Sequence, residues 1–304
     1  MSKKANLLWG ADPEFFAGYD KEGVLYAMPP VVFRRNFGAE VKENGSHPIF
    51  MEVEGVKIHE DGAAFEMSLP PSSSWMDLFD RINHARKVFA ETFLSRYEVN
   101  PELLALPSIQ WEVGRWIGEG GDFKFATRFG CDPDLDAFSH MLKTPRRSKD
   151  FDASLHPWRY AGGHIHISGV KEIQESPLIA IRSLALTAGL AATAYSDVAD
   201  LERERVFRYG LPGKFRVQKY NGKFNDIEFS ESGVEYRTPS VRWTSSRDIA
   251  SKVFGWAEVG IQSLLIGGLY DNLSEELVRA GIESIIKVDQ EQALEVLKTV
   301  ESLV

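Results

Sequence analysis

The chain has 304 residues, 43% of them apolar, with 19 Phe, 9 Tyr and 7 Trp. That length is enough to bury a sizeable core and suits one large domain or two intimate ones, and the composition fits an ordinary soluble protein. A formal net charge of −9 argues against bulk nucleic-acid binding, although a local basic pocket for phosphates remains open. The single cysteine, Cys131, excludes an internal disulfide and has the character of a small buried hydrophobe.

The opening MSKKANLLWGADPEFF has too short an apolar stretch for a signal peptide. Strand character appears at Asn6–Trp9 and Phe15–Ala17. Val24–Ala27 follows a Lys-Glu-Gly turn and is placed to pair back as a hairpin. Phe50–Glu54 and Ala63–Leu69 are further strands, the second ended by Pro70 and Pro71. From Trp75 to Tyr97, apolar Leu78, Ile82, Ala85, Phe89 and Phe93 recur at helical spacing, after capping serines at 72–74. Ile109–Val113 is expected to be a strand, Asp132 to Leu142 a short helix, and the polar segment 143–158 a loop. Tyr160–Ser168 is expected to be a strand. Ser176 and Pro177 open a helix towards Asp200. Leu178–Ala199 comes nearest to a membrane span, but Arg182, Asp197 and many small residues favour a buried helix. Phe215–Tyr220 and Phe224–Ile227 flank Asn221-Gly222, a hairpin-turn signal. Val234–Val241 closes the strands, and helices follow from Ser246, Ser274 and Gln290.

No strand leads into a glycine-rich phosphate loop, and the spacing is too irregular for a parallel sheet. The expectation is an α+β fold: a mainly antiparallel sheet with packed helices, one domain spanning 1–304, helical from about 245. A cytoplasmic protein without membrane attachment is expected.

Chemistry enters through polar residues inside strands, where side chains alternate between faces. In GGHIHISG, His164, His166 and Ser168 share one face and Ile165 and Ile167 the other. A His-x-His pair on a strand suits a divalent metal; two hydrogen-bonded histidines are the plainer alternative. Asp12 and Glu14 share a side in ADPEFF, as do Glu235 and Arg237 in VEYRTPS. Asp61 precedes a strand that contains Glu66. Carboxylates in a sheet need a partner or a cation, and carboxylates mixed with imidazole suit Mg²⁺ or Mn²⁺, with Zn²⁺ as a further option. RVFRYGLPGKFRVQKY adds Arg205, Arg208, Lys214, Arg216 and Lys219 around a turn. Arginine forks match phosphate oxygens, and metals with arginines are what a triphosphate needs; a solvated basic loop is the alternative. Arg216 and Arg237 lie within strands and are the preferred pair, with Arg242 as a third candidate.

The segments GADPEFF (10–16), DGAAFEMSLPP (61–71), FGCDPDLDAF (129–138), GGHIHISG (162–169), YGLPGKFR (209–216) and VEYRTPSVRW (234–243) together resemble the phage-associated carboxylate–amine ligases. These are amidoligases of the glutamine synthetase and glutamate–cysteine ligase superfamily. The resemblance implies a curved antiparallel sheet that carries ATP and two or three divalent ions. It implies Asp12, Glu14, Glu66, His164, His166 and Glu235 as metal ligands, with aspartate at 12 where the common pattern has glutamate. It implies Arg208, Lys214, Arg216, Arg237 and His164 near the nucleotide phosphates. Amide-bond formation through an acyl phosphate is the implied reaction, with Asp61 as a candidate base. The substrates would be a small-molecule or peptide carboxylate and an amine. Two other readings stand beside it: an ATP-independent metal-dependent hydrolase, and a non-catalytic phage protein that keeps the ligase fold.

Overall fold

Apolar and polar residues alternate along the first part of β1 (Leu8–Lys21), so one strand presents Trp9 and Ala11 to the core and Asp12 and Glu14 to the other side. The computed structural model describes residues 7–37, 48–97, 101–115, 135–138, 153–206, 208–224, 227–265 and 269–303. Cys131, most of the helix expected at Asp132–Leu142 and much of the 143–158 connector lie outside them.

The remaining strands are β2 (Val24–Met28), β3 (Ile49–Val53), β4 (Val56–Asp61), β5 (Ala64–Ser68), β6 (Glu102–Leu104), β7 (Ser108–Gln110), β8 (Leu135–Asp136), β9 (Trp158–Tyr160), β10 (Gly163–Ser168), β11 (Lys214–Phe224) and β12 (Ile227–Tyr236). The sheet runs β3-β4-β5-β1-β10-β12-β11-β8, with β2, β6, β7 and β9 attached through β1 and β2. Every pairing on the main path is antiparallel. The expected α+β class with an antiparallel sheet and packed helices is therefore correct.

Three local expectations are corrected. The two strand pieces around Asp12 are one continuous strand from Leu8. Asn221-Gly222 is not a turn: Asn221 lies opposite Ser230 and Gly222 opposite Phe229, and the pairing continues to Phe224 and Ile227. One unbroken register runs from there to Arg216 and Glu235, and this long ladder outweighs the local turn preference. Leu135–Asp136, expected to be helical, is a strand pairing with Phe215 and Lys214. The sheet edge supplies the backbone partners that a lone short helix lacks.

The apolar sheet face is covered by helices. Buried Ile165, Ile167, Val234 and Tyr236 belong to the core shared with the continuous helix Pro177–Ala194. Gly189 lets that helix approach closely, because a Cβ there would collide with the Tyr236 hydroxyl. The helix is long and apolar enough to cross a bilayer, yet 72% of it is buried inside the fold, as expected of a core helix. Helix Arg247–Leu265 brings Phe254 edge-on to Trp9 at 5.3 Å and Trp243 at 5.0 Å, and stacks it on Trp75 at 5.6 Å. Beneath helix Trp75–Thr92, Phe65 meets Phe33, Phe50 and Phe89 at 5.0–5.5 Å. Each such ring stabilises the fold by about 1.5–3 kcal/mol through burial alone. Ser274 and Asp289 cap the last two helices, Glu275–Lys287 and Gln290–Glu301, by accepting from Leu277 N and Gln292 N.

Candidate metal centre

Strand register gathers the polar residues. Directly opposed residues in an antiparallel pair project to the same face. Glu66 opposes Glu14, Asp12 opposes His164, His166 opposes Glu235, and Glu235 opposes Arg216. A line of acids, imidazoles and a guanidinium thus crosses five strands, on the side away from Ile165 and Ile167.

Two groups of donors stand out along this line. In the first, atoms of Asp12, His166 and Glu235 all lie within 4.8 Å of one another. In the second, Glu14, Asp61 and Glu66 do the same. Ligands on opposite sides of one Mg²⁺ are about 4.2 Å apart, and those around Ca²⁺ slightly more, so each group spans one ion. Five carboxylates concentrate here, with Glu14 and Glu235 buried and Asp12, Asp61 and Glu66 partly so. Asp12 Oδ1 is buried and makes no well-aligned hydrogen bond. Such a surplus of buried negative charge fits a hard divalent cation.

Electrostatics separates the acids. Burial alone would raise the Asp12 carboxyl, but His164 and His166 outweigh it and hold Asp12 well below the usual carboxylate range. Their atoms are close: His164 Nδ1 is 3.0 Å from Asp12 Oδ1, and His166 Nε2 is 3.3 Å from Asp12 Oδ2. Glu14 moves the opposite way. Burial pushes it up and nearby Asp61 adds to the push, against the His164 charge. His166 is lowered by burial but raised overall by Asp12. The donor set contains His166 and not His164. The His164 Nε2 is 2.9 Å from the Tyr209 hydroxyl, and its side chain is almost wholly enclosed.

Tyr209 was not legible as a site residue, although its motif was. Its hydroxyl also donates to Glu14 Oε1 at 3.0 Å and accepts from Arg237 Nη2 at 3.3 Å. The hydroxyl thereby holds Glu14 directly and reaches the Asp12/His166/Glu235 group only through His164 and Arg237. Gly162 N donates to the other Glu14 oxygen at 2.7 Å. His59 was also missed. It opposes Glu66 on β4, two residues before Asp61, and sits 3.4 Å from Glu66 Oε1 and 2.7 Å from Ser68 Oγ. The alternation His59-x-Asp61 was its only signal in the sequence.

The arginines divide. Arg237 is buried and donates to Glu235, and Arg216 Nη1 lies 4.0 Å from the same carboxylate while staying partly exposed. Lys214 pairs with Asp136 at 3.2 Å. Arg208 is exposed, and its charge bears on His156 and Tyr160. Arg242 grips Asp197 with two 2.6 Å bonds. Beside His166, a small open hollow of about 50 Å³ is lined by Leu8, Gly10, Leu69, Pro71 and Ser168. Comparison of the chain with protein-family models gives no match, and comparison with curated proteins gives none.

Proposed function

We propose that this chain is a divalent-metal enzyme that uses ATP to join a carboxylate to an amine, on a glutamine synthetase-like site. The single observation that carries the reading is the pair of adjacent donor groups, Asp12/His166/Glu235 and Glu14/Asp61/Glu66, bordered by Arg237 and Arg216. The resemblance to phage-associated amidoligases adds support.

The residues fit Mg²⁺ or Mn²⁺ by donor chemistry: five carboxylates and one imidazole. Such ions would neutralise the phosphate oxygens of ATP. Arg216, partly exposed beside Glu235, would clamp a phosphate, and Arg237 holds the Glu235 carboxylate in position. The γ-phosphoryl group passes from ATP to an oxygen of the substrate carboxylate, releasing ADP and forming an acyl phosphate. The amine nitrogen then attacks the carbonyl carbon, loses a proton, and expels inorganic phosphate. Activation is needed because a carboxylate is a poor electrophile. Asp61, grouped with Glu14 and Glu66, serves the cation in this scheme and not the amine proton.

A second reading is an ATP-independent metal-dependent hydrolase. It is favoured by the same donor groups, since they require no nucleotide, and by the engagement of Arg237 with Glu235. The discriminating experiment is ADP formation with Mg²⁺ or Mn²⁺ across pools of carboxylates and amines, with products read by mass spectrometry. ATP-dependent condensation supports the ligase. Metal-dependent cleavage without ATP supports the hydrolase.

A further inference from the structure

Arg205 is a buried arginine whose side-chain hydrogen bonds go to backbone carbonyls and not to the candidate metal ligands. It leaves the helix Ala199–Val206 pointing inwards, and its three guanidinium nitrogens each donate to a backbone carbonyl. Nε reaches Ala161 O at 2.7 Å, Nη1 Thr238 O at 2.8 Å, and Nη2 Pro239 O at 3.2 Å. Those carbonyls lie beside the segments that carry the site. Ala161 precedes Gly162, whose N–H holds Glu14. Thr238 follows Arg237. Pro239 O also accepts from Gly163 N at 3.0 Å, one residue before His164. The Arg205 carbonyl accepts from Tyr209 N at 2.8 Å, and its guanidinium lies 5.0 Å from the Tyr209 ring centre. Gly210, at φ +88, leaves the space that the fork occupies, since a Cβ there would collide with Nη1.

We infer that Arg205 is a positioning residue: one planar fork sets the spacing between the strands that present Glu14, His164 and Arg237, and so the spacing of the two donor groups. A guanidinium suits the task because it offers donors in fixed directions, whereas lysine offers a flexible point charge. Groups that orient metal ligands typically change metal affinity by roughly 10–100-fold when removed. The consequence for metal binding rests on the proposed metal centre; the spacing claim does not.

The test uses the full chain as wild type, Arg205→Lys, Arg205→Met and Gly210→Ala. Mn²⁺ binding is followed by electron paramagnetic resonance, folding by circular dichroism and melting, and the site by crystallography. The expected result is folded variants with Mn²⁺ affinity weakened roughly 10–100-fold, and with the Tyr209 contacts to Glu14 and His164 lengthened from 3.0 and 2.9 Å. Unchanged affinity and unchanged contacts in folded variants overturn the inference. If wild type binds no Mn²⁺, the metal reading fails, and the crystallographic distances alone decide the positioning role. If no variant folds, Arg205 is a stability element and the inference is overturned.

Discussion

Tyr209 and Glu14 are 195 positions apart in sequence and share a 3.0 Å hydrogen bond inside the sheet face. The same hydroxyl meets His164, which lies 3.0 Å from Asp12, so the phenol holds Glu14 directly and reaches the other donor group through His164. Tyr209→Phe keeps the ring and deletes this link. Mn²⁺ affinity should fall roughly 10–100-fold, most at the Glu14 group, as expected for loss of an orienting partner. The unpaired Glu14 oxygen should cost about 1–3 kcal/mol of stability. Calorimetric metal titration and denaturant unfolding on one preparation check both numbers.

Glu235→Gln should abolish most turnover and weaken metal binding. Glutamine keeps the shape but removes the charge that a hard cation requires. Glu235 is wholly buried and accepts from Arg237, so the neutral side chain leaves an uncompensated guanidinium. Breaking a buried pair costs roughly 3–5 kcal/mol. The variant should therefore melt lower yet remain folded at assay temperature. Normal turnover at limiting metal would remove Glu235 from the centre.

Arg216 and Arg237 should respond differently to alanine. Arg237 is 2% exposed and bonded to Glu235 and Tyr209, so Arg237→Ala should mainly destabilise. Arg216 is 27% exposed, so Arg216→Ala should leave the fold intact and weaken ATP and ADP binding by about tenfold, the effect of one charge-assisted contact. Equal nucleotide affinity in wild type and Arg216→Ala, measured with saturating Mg²⁺, would count against phosphate binding there.

The metal-free protein should lose stability as the pH rises. Glu14 is pushed above its ordinary value of 4.5, so the folded state holds that proton more tightly than the unfolded chain. Its contribution is complete below pH 4.5 and fades as the pH climbs through the raised value. His166, raised above 6.5, acts in the same direction at higher pH. Asp12, lowered below 3.8, adds stability above that pH and loses it only in stronger acid. A bound divalent cation replaces these protons, so saturating Mn²⁺ should flatten the decline and metal affinity should rise with pH. Melting curves from pH 5 to 9, with chelator or with Mn²⁺, test this; parallel curves would refute it.

The order of residues by itself determined which side chains share a strand face. His164 with His166, Asp12 with Glu14, and Glu235 with Arg237 follow from period-two alternation, a local property of an extended backbone. The helices from Trp75, Pro177, Arg247, Glu275 and Gln290 follow from apolar spacing and capping residues in the same way. Only the tertiary structure decided which strands are neighbours. Glu14, Asp61 and Glu66 form one group because β1 lies beside β5 and β5 beside β4, and β4 was not recognisable in the charged run VKIHED. His59 was hidden for that reason. Tyr209 was hidden, and Arg205 was visible only as one of a basic cluster, because their partners are 28 to 195 residues distant and their roles arise from burial. Asn221-Gly222 shows the opposite case: a strong local turn signal yields to a ladder whose register is held by contacts along the whole hairpin. Local periodicity sets the direction of a side chain. Long-range pairing and desolvation set what that side chain meets, and the chemistry of this site depends on both.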